Sequence, residues 1–371
     1  MNTKPKVMHI SFAGWGGVDI YIRMLIRDTS EQNDIICICP SCCDENYYKN
    51  CGARVYNMDL PREISPLEDL KAVFKLRKII KKEAPQIIYC HSSMAGAVGR
   101  LAAIFTKSKV VYNPHGWSFD MSDCGKKKSM AYLLIEKFLA PFTQKIITIS
   151  DYERNIAIEK KIAPPYKIVT ILNGVDTKNI SEIKTTKENL GYSSDDIIIG
   201  CIARIEEQKD PILFAKVCGE ISKKIPNAKF IWVGDGSLRE SFEKALKENN
   251  IFDKTVITGW TDTPHLYSSV FDVCVLFSKW EGFGLVVAEA LSQGKPVVAT
   301  DVGGISEIIG DCGVGKAVDS RDEKLLAESV IEFINMENKK ELETKCIERS
   351  KQFDFKITAE QTVKIFREML I

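Results

Sequence analysis

Short apolar runs alternate with longer amphipathic stretches along the chain. The short runs are rich in Val and Ile and end in Gly, Ser, Asp or His, which is typical of buried parallel strands. The strands that this pattern predicts are residues 6–10, 34–39, 86–90, 109–113, 145–150, 167–172, 197–203, 229–233, 255–258, 273–277 and 296–300. Helical periodicity predicts helices at residues 67–82, 211–225, 237–249, 284–293 and 357–370. This alternation favours an α/β protein.

The chain divides into two predicted domains. Its 371 residues suffice for two domains at about 150 residues each. A polar, turn-rich segment at residues 175–195 separates two series of strand-like runs, and we assign the domains to residues 1–178 and 179–356. Ligands of parallel sheets bind outside the carboxyl ends of the strands, so we expect the chemistry in loops that follow strands.

Composition and charge narrow the choice of function. Hydrophobic residues are 45% and charged residues 27%, as in soluble globular proteins. The net charge is only +1, which argues against a general polyanion binder. Residues 1–180 nevertheless hold 26 Lys and Arg against 18 Asp and Glu, whereas the remainder hold 25 against 32. The basic half could therefore face an acidic partner such as a membrane surface.

Neither a membrane span nor a secretory leader is predicted. No apolar run reaches the roughly 18 to 20 residues that a transmembrane helix needs, and we expect a cytoplasmic protein. Its 12 cysteines are then expected to be reduced thiols. A zinc site is less favoured, because paired C-x-x-C hooks are absent, and two of the clustered cysteines should share one face of a strand. The cluster is Cys37, Cys39, Cys42, Cys43 and Cys51, and the first two form that pair.

The first strand-to-helix turn contains adjacent glycines. The amides of Gly16 and Gly17 could approach a phosphate at a helix N-terminus. A dinucleotide fingerprint would need glycine at position 19, where Asp19 stands, so this spacing argues against NAD. A merely structural turn is the alternative.

Two other glycine-rich segments imitate phosphate loops. Residues 310–316 have Walker A spacing, but Ala317 replaces the Ser or Thr that would hold magnesium, and we interpret the segment as a loop. Residues 234–236 follow a predicted strand, yet Arg239 stands in place of the third glycine.

The segment 281–290, EGFGLVVAEA, carries the strongest signal. A predicted strand leads into a glycine loop that contains Glu281, and Glu289 lies about one turn inside the next helix. The loop amides at residues 283–285 could bind the hydroxyls or phosphate of a sugar nucleotide, and Glu289 could accept hydrogen bonds from a ribose. Spacing alone would also fit a solvated carboxylate pair.

This segment closely resembles the E-x7-E signature of retaining GT-B glycosyltransferases of the family 4 type. The resemblance covers nearly the whole chain. Its further motifs are Gly16-Gly17-Val18-Asp19 (a GG-x-E turn with Asp for Glu), HSSMAG at 91–96, NPHGW at 113–117, ISD at 149–151, LNGVD at 172–176, Ala203-Arg204-Ile205 with Lys209-Asp210-Pro211, TGW at 258–260, GKPVVAT at 294–300 and GGISE at 303–307.

The resemblance implies a fold and a reaction. It implies two Rossmann-like domains facing across a cleft, with the acceptor on the first, the nucleotide sugar on the second, and a final helix at 357–371 that crosses back. The implied activity is retaining, metal-independent transfer of a hexose-type sugar from a nucleotide diphosphate sugar, with UDP favoured by family frequency, to a saccharide acceptor that is expected to be lipid-linked. No cofactor, metal or nucleic acid is expected.

The resemblance also suggests roles for single residues. Arg204 and Lys209, helped by the Gly16 and Gly17 amides, would neutralise the leaving diphosphate. His115 would lie beside the transferred sugar, although a turn histidine is an equal alternative from sequence alone. Glu281 would hold sugar hydroxyls rather than attack, because the family generally lacks a clear carboxylate nucleophile. The other implied donor-binding residues are Gly259, Trp260, Gly282, Phe283, Gly284, Leu285 and Glu289.

Two other functions remain as alternatives. A non-hydrolysing sugar-nucleotide epimerase would need paired acid and base carboxylates, which the sequence does not present. An inactive nucleotide-sugar-binding scaffold would tolerate loss of residues that are intact here, namely Arg204, Lys209, His115, Glu281 and Glu289.

A basic amphipathic helix is predicted at residues 69–82, and Lys126-Lys127-Lys128 is assigned to a later loop. Such helices can bind anionic lipid at roughly 1 kcal/mol per cation. The commoner interpretation is a core-facing helix with a solvated face. Because the family often extends lipid-linked glycans, we expect peripheral contact with the inner face of the cell membrane.

Overall fold

The chain folds into two compact units. The computed structural model describes residues 4–14, 16–60, 65–121 and 124–371. The N-terminal unit runs to Gly174 and includes Phe355–Ile371, and the C-terminal unit is Val175–Asp354. The boundary predicted from the sequence, after residue 178, lies within four residues of this division. The acceptor and donor roles assigned to the two domains stay predictions.

Strands and helices alternate along the described chain. The strands are β1 (Lys6–Ile10), β2 (Asp34–Cys39), β3 (Arg54–Asn57), β4 (Ile87–His91), β5 (Lys109–Asn113), β6 (Lys145–Thr148), β7 (Ile168–Thr170), β8 (Ile197–Ile202), β9 (Ala228–Val233), β10 (Thr255–Ile257), β11 (Val273–Leu276), β12 (Val297–Thr300) and β13 (Gly315–Val318). The helices are α1 (Gly17–Thr29), α2 (Glu45–Asn50), α3 (Pro66–Glu83), α4 (Ser93–Ala103), α5 (Lys126–Leu139), α6 (Asp151–Glu159), α7 (Thr177–Glu182), α8 (Pro211–Lys224), α9 (Arg239–Glu248), α10 (Pro264–Ser268), α11 (Leu285–Ser292), α12 (Ile305–Ile309), α13 (Glu323–Ile334), α14 (Lys339–Ser350) and α15 (Phe355–Leu370).

The N-terminal unit is built on a parallel sheet with helices on both faces. Its described strands have the order β3-β2-β1-β4-β5-β6-β7. Neighbouring side chains of β1 point to opposite faces. Met8 and Ile10 enter the core beneath α3 and α4, whereas Val7 enters the core beneath α1 and α15. The chain order reverses between β1 and β4, which is the place where such sheets bind ligands.

The last helix, α15, belongs to the N-terminal unit. Phe355, Ala359 and Phe366 are buried in the same core as the apolar face of α1. The hydroxyl of Thr358 donates to the Leu172 carbonyl over 2.9 Å. A Cβ atom on Gly174 would lie only 2.6 Å from the Phe355 Cα. The helix is therefore fixed by close backbone packing where the chain returns to this unit.

The C-terminal unit repeats the same topology with fewer strands. Its described strands pair in parallel in the order β10-β9-β8-β11-β12-β13. The reversal lies between β8 and β11, where Val273 pairs with Ile199. The loops after these two strands are consequently neighbours, although they are far apart in the sequence.

Most predicted elements are confirmed, and two edge strands were missed. β3 is short and half polar, so its sequence gave no strand signal. β13 begins at Gly315, which makes the loop prediction for residues 310–316 wrong at its last two positions. We interpreted the Walker A spacing as a loop, but this segment contains the start of a strand that pairs with β12. The pairing runs from Val297 with Gly315 to Thr300 with Val318.

Two local predictions about clusters have opposite outcomes. Cys37 and Cys39 lie in one core on one face of β2, as predicted. The loop assignment of Lys126, Lys127 and Lys128 is wrong, because these residues form the first turn of α5.

A buried ion pair joins α4 to α5. Arg100 donates to Glu136 over 2.8 Å, and their side chains are 0% and 5% exposed. The Tyr112 hydroxyl donates to the same carboxylate over 2.8 Å. The Arg100 guanidinium also lies 4.0 Å from the centre of the Tyr112 ring. Loss of one charge would leave the other buried without its partner.

We expect Arg100→Met to lower the free energy of unfolding by about 3–5 kcal/mol, because the Glu136 charge would then be buried alone. The double variant Arg100→Met/Glu136→Gln should recover part of this loss. Glu68→Gln is the control, since it breaks an exposed pair with Lys71 and should change stability by less than about 1 kcal/mol. Urea-induced unfolding measures all three, and equal losses in the two single variants would contradict the prediction.

Candidate functional site

The candidate site of the C-terminal unit lies where its strand order reverses. Residues 203–210 follow β8 and lead into α8, and residues 277–284 follow β11 and lead into α11. Because β8 and β11 are hydrogen-bonded neighbours, these two loops emerge side by side at the carboxyl edge of the sheet. This is the edge where doubly wound sheets bind ligands.

Hydrogen bonds join the two loops directly. The backbone amide of Lys279 donates to the Gln208 carbonyl over 2.7 Å. The Gln208 side-chain amide donates to the Trp280 carbonyl over 3.0 Å. Lys279 also forms an ion pair with Glu207. The loops therefore form one structural piece.

Two predicted site residues form an ion pair in this structure. Lys209 pairs with Glu281, and their side chains are only 17% and 7% exposed. The Ser278 hydroxyl donates to the same Glu281 oxygen over 2.6 Å. The ammonium and the carboxylate are both largely shielded from solvent, and their opposite charges neutralise each other. An incoming diphosphate or sugar would compete for partners that are already in position.

Arg321, in a third segment, contacts both loops, and it was not predicted from the sequence as a site residue. Its guanidinium donates to the Ser278 carbonyl over 2.9 Å and forms an ion pair with Asp210. Asp210 in turn caps α8 by accepting from the Leu213 amide. Arg321 lies outside every recognised motif, so only the folded chain identifies its role.

The backbone of the loop before α11 requires glycine at two positions. Gly284 precedes the helix at φ +94°, a conformation that favours glycine. A Cβ atom on Gly303 would lie 1.9 Å from the Glu281 carbonyl oxygen. Within the described residues, the amides of Phe283, Gly284 and Leu285 donate no hydrogen bond. They can therefore serve as donors for an anion or a hydroxyl.

Glu289 lies inside α11, as predicted, and is partly buried. Burial raises the pKa of its carboxyl, and the neighbouring His265 opposes this rise. Nδ1 of His265 is itself buried without a hydrogen-bond partner among the described residues. The carboxyl can accept hydrogen bonds from a diol.

The remaining predicted donor residues lie around the same sheet edge with fewer contacts. Arg204 is exposed and reaches Gln208 only over 3.4 Å. Gly259 forms an isolated bridge with Gly234, and the following Trp260 is 65% exposed. Exposed cationic and aromatic side chains such as Arg204 and Trp260 are available to a nucleotide.

In the N-terminal unit, Gly16 and Gly17 begin α1, and no side chain of the described residues caps that end. Trp15, between Gly14 and Gly16, lies outside the described residues. Asp19 is buried and accepts from the Tyr48 hydroxyl over 2.8 Å. It also pairs with Arg23 over 2.7 Å. The Asp19 carboxylate is therefore engaged within the protein.

His115 follows β5 in the left-handed backbone region, at φ 50°. Its amide donates to the Asn113 side chain over 2.9 Å, which holds the turn. Its ring contacts His91 and lies edge-on to Tyr21 of α1. Although part of the residue is exposed, its dense surroundings lower the pKa of His115 to about 3. The ring is therefore neutral at physiological pH.

The predicted residues thus fall into two groups, one in each unit. Gly16, Gly17 and His115 lie at the carboxyl edge of the first sheet, and Tyr21 connects α1 to the histidine. The other predicted residues lie at the corresponding edge of the second sheet, where the structure brings Lys209 and Glu281 into direct contact.

The described residues contain neither a metal-binding cluster nor a membrane-spanning helix. No three His, Cys, Asp or Glu side chains in the described ranges form a group that could hold a metal ion. None of the helices described is both long and apolar enough to span a bilayer.

Family models match both parts of the chain. The model described as "Glycosyltransferase Family 4" matches residues 15–179, and the model described as "Glycosyl transferases group 1" matches residues 182–353. Each match corresponds closely to one structural unit.

Similar proteins agree with these matches. The UDP-Gal:alpha-D-GlcNAc-diphosphoundecaprenol alpha-1,3-galactosyltransferase of Escherichia coli is 31% identical over 287 residues, covering 74% of this chain and 73% of the relative. An uncharacterized 41.2 kDa protein in the cps region of Klebsiella pneumoniae is 33% identical over 342 residues, or 89% of each chain. The solved structure of Anabaena Alr3699/HepE in complex with UDP and glucose has a TM-score of 0.82 at 18% identity, covering 98% of this chain and 99% of that one.

The structural likeness shows the GT-B fold. Two parallel doubly wound sheets, a final helix packed in the first unit and an E-x7-E segment at the edge of the second all agree with it. Together with the family models and the relatives above 30% identity, these observations establish that the chain belongs to the family 4 type of GT-B glycosyltransferases.

Proposed function

We propose that this glycosyltransferase moves a hexose-type sugar, with retention, from a UDP-sugar to a hydroxyl of a lipid-linked saccharide. The reaction would serve the synthesis of a cell-surface polysaccharide. The observation that carries the proposal is the edge of the C-terminal sheet, where the Lys209–Glu281 pair lies beside the amides before α11. The names of similar proteins support the donor and acceptor classes, since one is a UDP-galactose-dependent enzyme acting on a diphosphoundecaprenol-linked sugar and another was solved with UDP and glucose.

In this proposal, basic residues bind the diphosphate of the donor and a carboxylate binds the hydroxyls of its sugar. Lys209 and the exposed Arg204 would meet the negative charge that develops on the leaving diphosphate. Glu281 would then exchange its ion pair for hydrogen bonds from the sugar hydroxyls, while Ser278 keeps it oriented. We infer a front-side reaction in which the leaving phosphate helps to deprotonate the acceptor. Glu289 would accept from the ribose, and His115 would contact the transferred sugar.

A membrane-facing role for the N-terminal unit is the second part of the proposal. Three exposed apolar residues follow each other at helical spacing on α5, namely Met130, Leu134 and Phe138, which are 55%, 59% and 67% exposed. On α3, Leu67 and Phe74 are 75% and 56% exposed among lysines. Both helices pack on α4, so they cover the same face of the sheet. An exposed apolar surface with surrounding cations is typical of helices that lie on anionic lipid.

The lysines that begin α5 support the same interpretation. A helix N-terminus carries partial positive charge, so cations there are unfavourable. Lys126, Lys127 and Lys128 are all exposed, and the first turn of α5 contains no acidic residue. An anionic surface would offset this repulsion.

Transfer should persist in excess EDTA, because Arg204, Lys209 and the loop amides would stabilise the leaving diphosphate. The measurement is sugar transfer from a UDP-sugar to a diphosphate-lipid-linked acceptor, with and without chelator. A loss of activity that magnesium or manganese restores would contradict the metal-independent mechanism.

Glu289→Ala should weaken UDP binding about 10- to 100-fold, because it removes the carboxyl that we propose accepts hydrogen bonds from the ribose. Glu289→Gln, which keeps one acceptor oxygen, should lose less. His115→Ala should keep UDP affinity and lower the rate of transfer, since His115 belongs to the other unit. Calorimetric titration with UDP and initial transfer rates separate the two roles. An equal loss of UDP affinity in both alanine variants would contradict them.

Charge reversal at Lys75, Lys78 and Lys82 of α3 should weaken binding to anionic vesicles about 100-fold or more, at roughly 1 kcal/mol per cation removed. The matched control reverses Lys216, Lys244 and Lys345, three exposed lysines of the C-terminal unit, and should bind like the wild type. Both triple variants should keep UDP affinity. The measurement is vesicle sedimentation at low and high salt. Failure of the wild-type protein to bind anionic vesicles at low salt would contradict the membrane role.

A further inference from the structure

Three of the four histidines of the chain form a continuous hydrogen-bonded row in the N-terminal unit. Nδ1 of His9 lies 3.1 Å from Nε2 of His91, and Nδ1 of His91 lies 3.0 Å from Nε2 of His115. The rings stack at centroid separations of 5.4 Å and 5.3 Å. They come from β1, the end of β4 and the turn after β5, which are adjacent in the sheet.

The row carries no charge at physiological pH. Burial lowers the pKa of His9 and of His115 to about 3. It also lowers the pKa of His91 well below its ordinary value. The side chains that face the rings are Tyr21 from α1, Tyr89 from β4 and the Asn113 amide near Tyr89, all of them uncharged. Burial raises the pKa of both tyrosines, so neither supplies a charge. Each ring of the row therefore holds one N–H and one acceptor nitrogen.

Only two uniform proton arrangements satisfy both hydrogen bonds. In the first, every proton is on Nδ1, and each ring donates toward His115. In the second, every proton is on Nε2, and each ring donates toward His9. The far end of the row distinguishes them, because Nε2 of His9 is buried with no partner among the described residues. The second arrangement would bury an N–H without an acceptor, which is rarer in proteins than an under-satisfied acceptor.

We propose that His91 and His9 are positioning residues that keep His115 neutral with its proton on Nδ1, so that His115 presents an N–H donor to an oxygen of the bound substrate. In the described structure, Nδ1 of His115 has no protein partner and is the nitrogen left for a ligand. The placement of substrate at this atom rests on the proposed function, whereas the proton arrangement rests on the row alone. The turn held by Asn113 fixes the ring from its backbone side.

Nitrogen NMR of the full chain labelled with ¹⁵N-histidine tests the arrangement directly. The spectrum contains only four histidines, and His115→Gln assigns the signals of His115. We expect a protonated Nδ1 and an unprotonated Nε2 for His115 from about pH 8 to about pH 5, although an ordinary histidine titrates near 6.5. A proton on Nε2, or titration of His115 near pH 6.5, would overturn the proposal.

Variants of His91 separate positioning from simple packing. His91→Asn places an amide close to the position of Nδ1 and should keep the His115 tautomer. His91→Leu removes the donor, and the Nδ1–H fraction of His115 should fall. Tyr21→Phe keeps the ring packed against His115 and should leave the tautomer unchanged. An unchanged tautomer in His91→Leu would overturn the role of His91.

Variants of His9 test its role in the same way, and the measurement does not depend on turnover. His9→Phe removes the first donor of the row, the Nδ1–H that Nε2 of His91 accepts, and should produce a mixture of His115 tautomers, whereas His9→Asn should restore the single form. An unchanged tautomer in His9→Phe would overturn the role of His9. Because these measurements need no sugar donor or acceptor, they would stand even if UDP binding and transfer failed.

Discussion

Burial of both sheet faces is the constraint on which the rest of this molecule depends. In each unit a parallel sheet is covered on both sides by helices, so strand interiors are almost entirely apolar. Polar functional groups can then lie only at the strand ends. Where the strand order reverses, there is a gap between two connecting segments at the carboxyl edge of the sheet. In the C-terminal unit the loops after β8 and β11 emerge at that point, and in the N-terminal unit His91 ends β4 there.

The Lys209–Glu281 pair shows how this constraint brings distant residues together. The two residues are 72 positions apart in the sequence, yet the pairing of β8 with β11 brings their loops together. Gln208 joins the loops through backbone and side chain, and Arg321 fixes their bases. The two charged groups are thus held together at the edge of the sheet by contacts between segments that are far apart in the sequence.

Sequence patterns could predict the fold but only part of the site. Apolar runs predicted the limits of the central strands, such as residues 6–10, because burial on both faces leaves a continuous signal. The edge strand Arg54–Asn57 gave no such signal, since it is short and half polar. Motif residues such as Glu281 and Glu289 were recognisable from local context, whereas Arg321 acts through contacts made over long sequence separations. No local spacing encodes such contacts.

The histidine row illustrates what a motif cannot encode. His91 and His115 were both visible in loop motifs, and His9 lies in an unremarkable strand, but their relation depends on the neighbouring positions of β1, β4 and β5. A polar ring inside a strand costs free energy unless it is hydrogen-bonded. His9 meets this requirement through one nitrogen and leaves the other without a partner. An apolar residue at position 9 would avoid that free-energy cost. Because the chain has a histidine there, we connect this buried ring with the chemistry at the sheet edge.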